Sequence, residues 1–467
     1  MQIDLELIHE ASLKILQETG VKFDHPEILK ILKNHGIKVS EQVAYFTGRQ
    51  IMEWIQKAPG NFTLFARNPH YDVSVGGDIT AFAAGYGATF VVDGNGAKRN
   101  ARLEDYLNFL KLVHKSDPFS INGGLLVQPS DIASTQPFPL LLYLTLLHSD
   151  KCLMGGSDGA TETQQTMDLL SICFGDRRHL IEKPRLVSII NSSSPLRFNR
   201  DSLDKLLIHA RYGQPAMITA AVMGGTTGPI TLAGTIAQAN AETLAGIAVS
   251  QMIREGTPMV YGAQSTLADM QTGAYVSASP EHVLCVRYGA RLAKFYGLPC
   301  RGGGGKSDAR FVSVQSGFES MLTMLITCEE KMNIVVLSAG ILDSVMAMSY
   351  EKFLLDLQII AMAKRFVRGV HIDDDTLALD AIQEVGPGGE FLTSNHTLKF
   401  CRYEKWSAAI DSGAAGLMNN HKDMMDWLQE KKNALLAAYR QPELADDVRT
   451  DMEKYLVDAG FDIENLS

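Results

Sequence analysis

Cysteine is sparse in this 467-residue chain and never clustered: Cys152, Cys173, Cys285, Cys300, Cys328 and Cys401 stand singly. With no C-x-x-C pair and no His-x-Cys arrangement, a thiolate zinc site loses its usual sequence support, and a reducing, cytoplasmic setting is the expectation. Positive charge is also in short supply. The 43 basic side chains are outnumbered by 53 acidic ones, a formal net charge of −10, so no overall positive field draws in nucleic acid or an anionic membrane. Long apolar runs are missing as well, since the stretch 138–147 falls short of the ~20 residues that a membrane span needs. The opening MQIDLELIHEASLKIL reads as an acidic amphipathic helix, not as a secretory signal. No H-E-x-x-H, no G-x-S-x-G and no G-x-G-x-x-G between a strand and a helix is present, which removes the usual support for metalloproteolysis, ester hydrolysis and nicotinamide redox chemistry. Gly305-Lys306-Ser307 ends like a nucleotide-binding loop, but Cys300 stands where that loop needs its first glycine.

What the chain has in quantity is glycine, 40 residues against 16 prolines, and the skew has a location. From residue 3 to about residue 59 apolar side chains recur at helical spacing, and residues 62–92 switch to short extended stretches broken by glycine. This predicts an N-terminal helical cap with a small β element over 1–105. Beyond it a short apolar run, a polar loop and an amphipathic helix alternate. The strands are expected at 120–127, 152–156, 186–191, 216–223, 258–263, 299–303, 334–339 and 391–395. Eight alternations in roughly 280 residues predict an α/β fold, a (β/α)8 TIM barrel over 106–405. C-terminal helices are expected over 406–467, packed on the barrel or on a second subunit of a symmetric homo-oligomer. Glycines follow the predicted strands, among them Gly123, Gly155, Gly224, Gly262 and the run Gly302 to Gly305. In a TIM barrel those loops build the active site, and glycine there allows close backbone approach or a positive φ.

Polar candidates at the strand ends are Asn122, Asp158, Asn191, Gln264, Asp269, Asp308, Asp343, Asn395 and His396. Asp158, Asp308 and Asp343 read first as helix caps. Aromatic candidates on the same face are Phe82, Tyr86, Phe90, Tyr261, Tyr350 and Phe391, which pack a core or, gathered around a cation, bind a quaternary ammonium group. No lysine falls inside an expected strand, which counts against a Schiff-base lyase on the same barrel.

Several segments together resemble the trimethylamine methyltransferase (MttB-like) family of corrinoid-dependent methyltransferases. They are FAAGYGATFVVD, IINSSSPLRF, GGTTGPITLAGTIAQANAETLAGIAVSQ, PMVYGAQST, SDARFVSVQSGFES, LSAGILDSVMAMSYEKFLLD and GPGGEFLTSNHTLKFCR, in order from about residue 80 to 402. The resemblance implies a TIM barrel that moves a methyl group from a methylated amine to the cobalt of a partner corrinoid protein, with no cofactor held tightly by this chain. Trimethylamine enzymes of the family carry pyrrolysine, whereas this chain has only the twenty standard residues, so it looks like the branch that demethylates quaternary amines such as glycine betaine, proline betaine or carnitine. Where relatives read T-D-S-K, this chain has Ser307-Asp308-Ala309-Arg310. The resemblance implies a cation cage from Tyr86, Phe90, Tyr261 and Phe391, with Asn191 and His396 as polar liners and with Phe82 and Asp308 as further substrate-site candidates. It implies a carboxylate partner among Arg301, Lys306 and Arg310. Two other readings of the sequence stay open: a barrel lyase or aldolase, and a barrel that binds a betaine without turnover.

Overall fold

The computed structural model describes residues 2–132, 137–406 and 424–463. Eight parallel strands, each followed by a helix, close on themselves. In chain order they are β1 (Ala81–Ala83) and α1 (Leu103–Lys115), β2 (Phe119–Ile121) and α2 (Phe138–His148), β3 (Leu153–Gly155) and α3 (Gly159–Phe174), and β4 (Leu186–Asn191) and α4 (Arg200–Arg211). Then follow β5 (Ala216–Ala220) and α5 (Leu232–Ile253), β6 (Met259–Ala263) and α6 (Pro280–Phe295), β7 (Cys300–Gly303) and α7 (Val314–Glu329), and β8 (Ile334–Val336) and α8 (Tyr350–Val367). Neighbours in sequence are neighbours in the sheet, β8 pairs back onto β1 through Ile334 and Ala81, and a bridge between Ile121 and Cys152 joins β2 to β3. This is the (β/α)8 barrel that the alternation predicts.

The strand expected at 391–395 is not there. That segment is a turn leading into the helix Asn395–Glu404, with Leu392 exposed. The barrel's missing strand lies instead at Ala81–Ala83, inside the segment assigned to the N-terminal cap, so the barrel spans 81–367 rather than 106–405. Three buried residues, Ala-Phe-Ala, fill it, too short to show a period. The helices around the barrel start as the caps predict. Ser279 caps α6 and is followed by Pro280 at the first helical position, while Ser313 and Ser316 cap α7 reciprocally.

The N-terminal segment packs on α4 and α5 through a core that includes Leu16, Phe23, Ile28 and Ile51. Its strand Val21–Phe23 takes Arg197–Phe198, from the loop after β4, as a parallel neighbour. On the opposite side of the barrel the loops after β1 and β8 interleave into a four-stranded lid sheet: Ile341–Leu342, Ala347–Met348, Phe90–Val92 and Lys98–Asn100.

Candidate active site at the barrel mouth

The β7 strand reads Cys-Arg-Gly-Gly, and the two-residue period of a strand sends alternate side chains inward. Cys300 joins the outer core, while Arg301 reaches across to β5, where its Nη1 donates to Thr219 Oγ1 at 3.2 Å. The strand between them carries Gly262, where a Cβ would stand 2.3 Å from that same oxygen. Arg301 is 4% exposed, and its Nε has no partner. Burial lowers its pKa to about 10.

Past β7 the chain turns back on itself. Lys306, fully buried, points its Nζ at His282 Nε2 (2.6 Å) and Gln264 Oε1 (3.2 Å). His282 sits in the first turn of α6 and its Nδ1 lies 3.0 Å from the carbonyl of Ser265. That carbonyl can only accept, which assigns the ring proton to Nδ1 and makes Nε2 the acceptor for the lysine. Burial pushes Lys306 down to about 7, with Arg301 adding repulsion, and burial together with the charge of Lys306 holds His282 well below its usual range. Gly303 makes the geometry possible, because a Cβ there would stand 2.8 Å from Lys306 Cε.

Two tyrosines lie within electrostatic reach of Arg301. Tyr86, from the loop after β1, donates its hydroxyl to Gly155 O at 3.2 Å, and burial raises its pKa to about 12. Tyr275, from the loop after β6, donates to Gln264 O at 2.9 Å, and burial raises it further. Asp308 is fully occupied elsewhere: it accepts from Ser277 N and Oγ, Ala278 N and Ser344 Oγ, and so ties together the loops after β6, β7 and β8. It is a staple, not the helix cap it resembles in sequence. Asp158 does cap α3, and Asp343 pairs with Lys98 at 2.5 Å.

Of the residues proposed from sequence, the structure gathers Tyr86, Arg301 and Lys306, with Asp308 holding the surrounding loops. Asn191 ends β4 beside Thr219, solvent-exposed at the rim. Others are elsewhere. Tyr261 faces outward, donating to Asn240 Oδ1 at 2.8 Å and packing on Tyr296, because it occupies the opposite phase of β6 from Gly262. Phe82 also faces outward, with Lys364 of α8 lying 4.7 Å over its ring. Phe90 belongs to the lid sheet, where it packs with Val92, Leu342 and Ala347 beneath Lys98. Arg310 is exposed on the loop before α7. Phe391 is 42% exposed, and His396 contacts Asp375 O and Phe400, both within the segment beyond α8. Sequence reading missed His282 and Tyr275 and left Thr219 unmentioned. The one available signal for His282 was its place three residues after a Ser cap, at the top of a barrel helix.

Two further latches explain motifs that carry no chemistry of their own. Glu242, in the NAET stretch of α5, accepts from Ser192 Oγ, Ser194 Oγ, Leu196 N and Gln238 Nε2, which fixes the SSSPL loop after β4. Lys352 and Asp356, one turn apart on α8, form a buried pair at 2.5 Å. Lys352 also donates to Gly305 O and Ser320 Oγ, and Asp356 accepts from Gly340 N, so the pair fastens the loops after β7 and β8.

The family described as trimethylamine methyltransferase (MTTB) matches residues 2–459. A glycine betaine methyltransferase of Desulfitobacterium hafniense strain Y51 is 38% identical over 98% of this chain and 96% of its own. A proline betaine:corrinoid methyltransferase of Eubacterium limosum is 29% identical over 97% and 96%. Among solved structures, the hydroxylamine complex of MtmB superposes with a TM-score of 0.51 at 10% identity, over 92% of this chain and 93% of that one, which supports the barrel fold.

Proposed function

We propose that this chain, which belongs to the trimethylamine methyltransferase (MTTB) family, moves a methyl group from a quaternary amine to the Co(I) corrinoid of a partner protein. Glycine betaine is the first substrate to test, proline betaine and carnitine the next. Similarity to the glycine betaine and proline betaine enzymes supports the class. The corrinoid is a co-substrate that arrives with its carrier at the open end of the barrel.

The observation that carries the quaternary-amine reading is the state of the proton donors in the mouth. Both tyrosine hydroxyls and both nitrogens of His282 are engaged by protein partners, Asp308 is saturated, and Lys306, whose pKa lies at about 7, already donates to His282 Nε2 and Gln264 Oε1. A tertiary or secondary amine leaves poorly unless it is protonated, so it needs a free acid. A quaternary ammonium needs none. The cobalt lone pair forms the new bond to the methyl carbon, the C–N bond pair returns to nitrogen, and a neutral tertiary amine departs. The chain's own contribution is to hold nitrogen, methyl and cobalt in line and to keep water out. The rings of Tyr86 and Tyr275, both within electrostatic reach of Arg301, are the candidates for π contact with the cation.

Lys306 also has the burial and lowered pKa of an imine-forming lysine, which is the one observation favouring a lyase. Borohydride trapping with carbonyl substrates separates the two readings, and the expected result is no stable adduct. The positive test supplies a reduced corrinoid protein with glycine betaine, proline betaine, carnitine or trimethylamine. Methylcobalt forms from at least one betaine and not from trimethylamine; transfer from none of the three betaines, or from trimethylamine alone, refutes the proposal.

A further inference from the structure

We propose that Arg301 and Lys306 together form a carboxylate subsite inside the barrel mouth, which restricts the methyl donor to zwitterions with the carboxylate a short reach from the quaternary nitrogen. The identity of the donor rests on the methyltransferase reading; the anion subsite itself rests on side-chain bookkeeping alone.

Buried charges in proteins are ordinarily paired or fully hydrogen-bonded. Elsewhere in this fold the buried lysines donate to a carboxylate or to backbone carbonyls: Lys352 has Asp356 at 2.5 Å, Lys151 caps the carbonyls of Val113 and Ser116, and Lys205 donates to Ser157 O. The side chains of Arg301 and Lys306 donate to neither. Among the described residues neither has a carboxylate within ion-pair distance, and their hydrogen-bond partners, Thr219, Gln264 and His282, are all neutral. Arg301 Nε is buried without any partner. The one carboxylate within electrostatic reach of Lys306, Asp308, is consumed by Ser277, Ala278 and Ser344.

Two buried cations within electrostatic reach of each other, one with an unpartnered N–H, leave both a charge and a hydrogen-bond donor unmatched. A carboxylate matches both, since its two oxygens accept from a guanidinium edge and an ammonium at once. The same pair repels a purely cationic ligand. The subsite therefore selects for the carboxylate of a betaine and against trimethylammonium compounds that lack one.

Calorimetry on the full chain, without the corrinoid partner, tests this using glycine betaine, choline, tetramethylammonium and inorganic phosphate. Choline keeps the trimethylammonium group and replaces the carboxylate with a hydroxymethyl. Glycine betaine is expected to bind at least a hundredfold more tightly than choline or tetramethylammonium. Arg301→Gln and Lys306→Met should each weaken glycine betaine at least tenfold while leaving choline unchanged or tighter. Equal affinity for glycine betaine and choline in the unmodified protein overturns the proposal without recourse to any variant. Undiminished betaine binding in both variants, or tighter binding of phosphate than of glycine betaine, overturns it too. The two layers fail separately. Carboxylate-dependent binding with no methyl transfer refutes the activity and spares the subsite, whereas demethylation of choline as fast as glycine betaine refutes the subsite and spares the activity.

Discussion

Lys306 is held in the mouth at a cost that pH can reveal. An unfolded lysine titrates near 10.4, and burial brings this one to about 7 in the folded chain. Between those values the unfolded state binds the extra proton, so this residue's contribution makes stability rise as pH increases from about 7 towards 10. Buried Lys151, Lys205 and Lys352 have the same sign, so the informative quantity is the difference between the parent protein and Lys306→Met. The variant should melt higher at pH 7 with the gap closing by pH 10, while glycine betaine affinity in the parent falls as the ammonium deprotonates above pH 7. Scanning calorimetry across that range checks it, and a pH-independent gap would contradict it. His282, Arg301 and Asp308 are the ionisable groups facing Lys306, and His282 is already neutral over the whole window. In sequence Lys306 stands out both as the end of an incomplete nucleotide motif and as one of three candidate carboxylate partners, and neither pattern records its burial against His282 and Gln264. Tyr261 shows why aromatic candidates are harder to read: a shift of one residue along a strand sends the ring from the mouth to the outer core. Tyr261→Phe should therefore leave betaine affinity unchanged and lower the melting temperature, because buried Asn240 loses a partner at a cost of about 1–3 kcal/mol.

At the scale of the element, the glycine-rich loop after β7 is the place where sequence and geometry meet. Its glycines were readable as a functional signal, but their reason is crowding and not phosphate binding or positive φ. A Cβ at Gly304 would stand 2.6 Å from Ser338 Cα, and one at Gly305 2.6 Å from Ser338 O, both immovable backbone. Gly303 differs, since the obstructing atoms are the mobile end of Lys306. Gly303→Ala should fold and displace the lysine, weakening glycine betaine at least tenfold with little change in melting temperature. Gly305→Ala should instead destabilise the protein. The Lys352–Asp356 pair that fastens this loop was hidden in YEKFLLD, where its i, i+4 spacing looks like any solvated helix face. Lys352→Met strands a buried carboxylate whose pKa burial already lifts to about 6, and should cost about 3–5 kcal/mol by chemical denaturation. A loss under 1 kcal/mol would show that the latch is not structural.

For the whole molecule, alternation of strand and helix identified the barrel because each unit repeats one physical solution, a buried strand covered by an amphipathic helix. The unit that escaped was the first, since Ala81–Ala83 is three residues long and its helix follows only after the lid-sheet strands. The lid sheet itself joins loops from the two ends of the barrel sequence, a pairing that no local pattern records. The mouth they surround combines a hydrogen-bonded carboxylate, two buried cations without a carboxylate partner and two tyrosines, the arrangement on which the proposed transfer of a methyl group from a zwitterion without proton transfer relies. Glycine betaine with isotopically labelled N-methyl groups, mixed with this protein and a Co(I) corrinoid carrier in a single turnover, tests that description most directly. One labelled methyl is expected on cobalt for each dimethylglycine formed; label appearing in methanol, or dimethylglycine absent while cobalt stays unmethylated, would contradict the transfer.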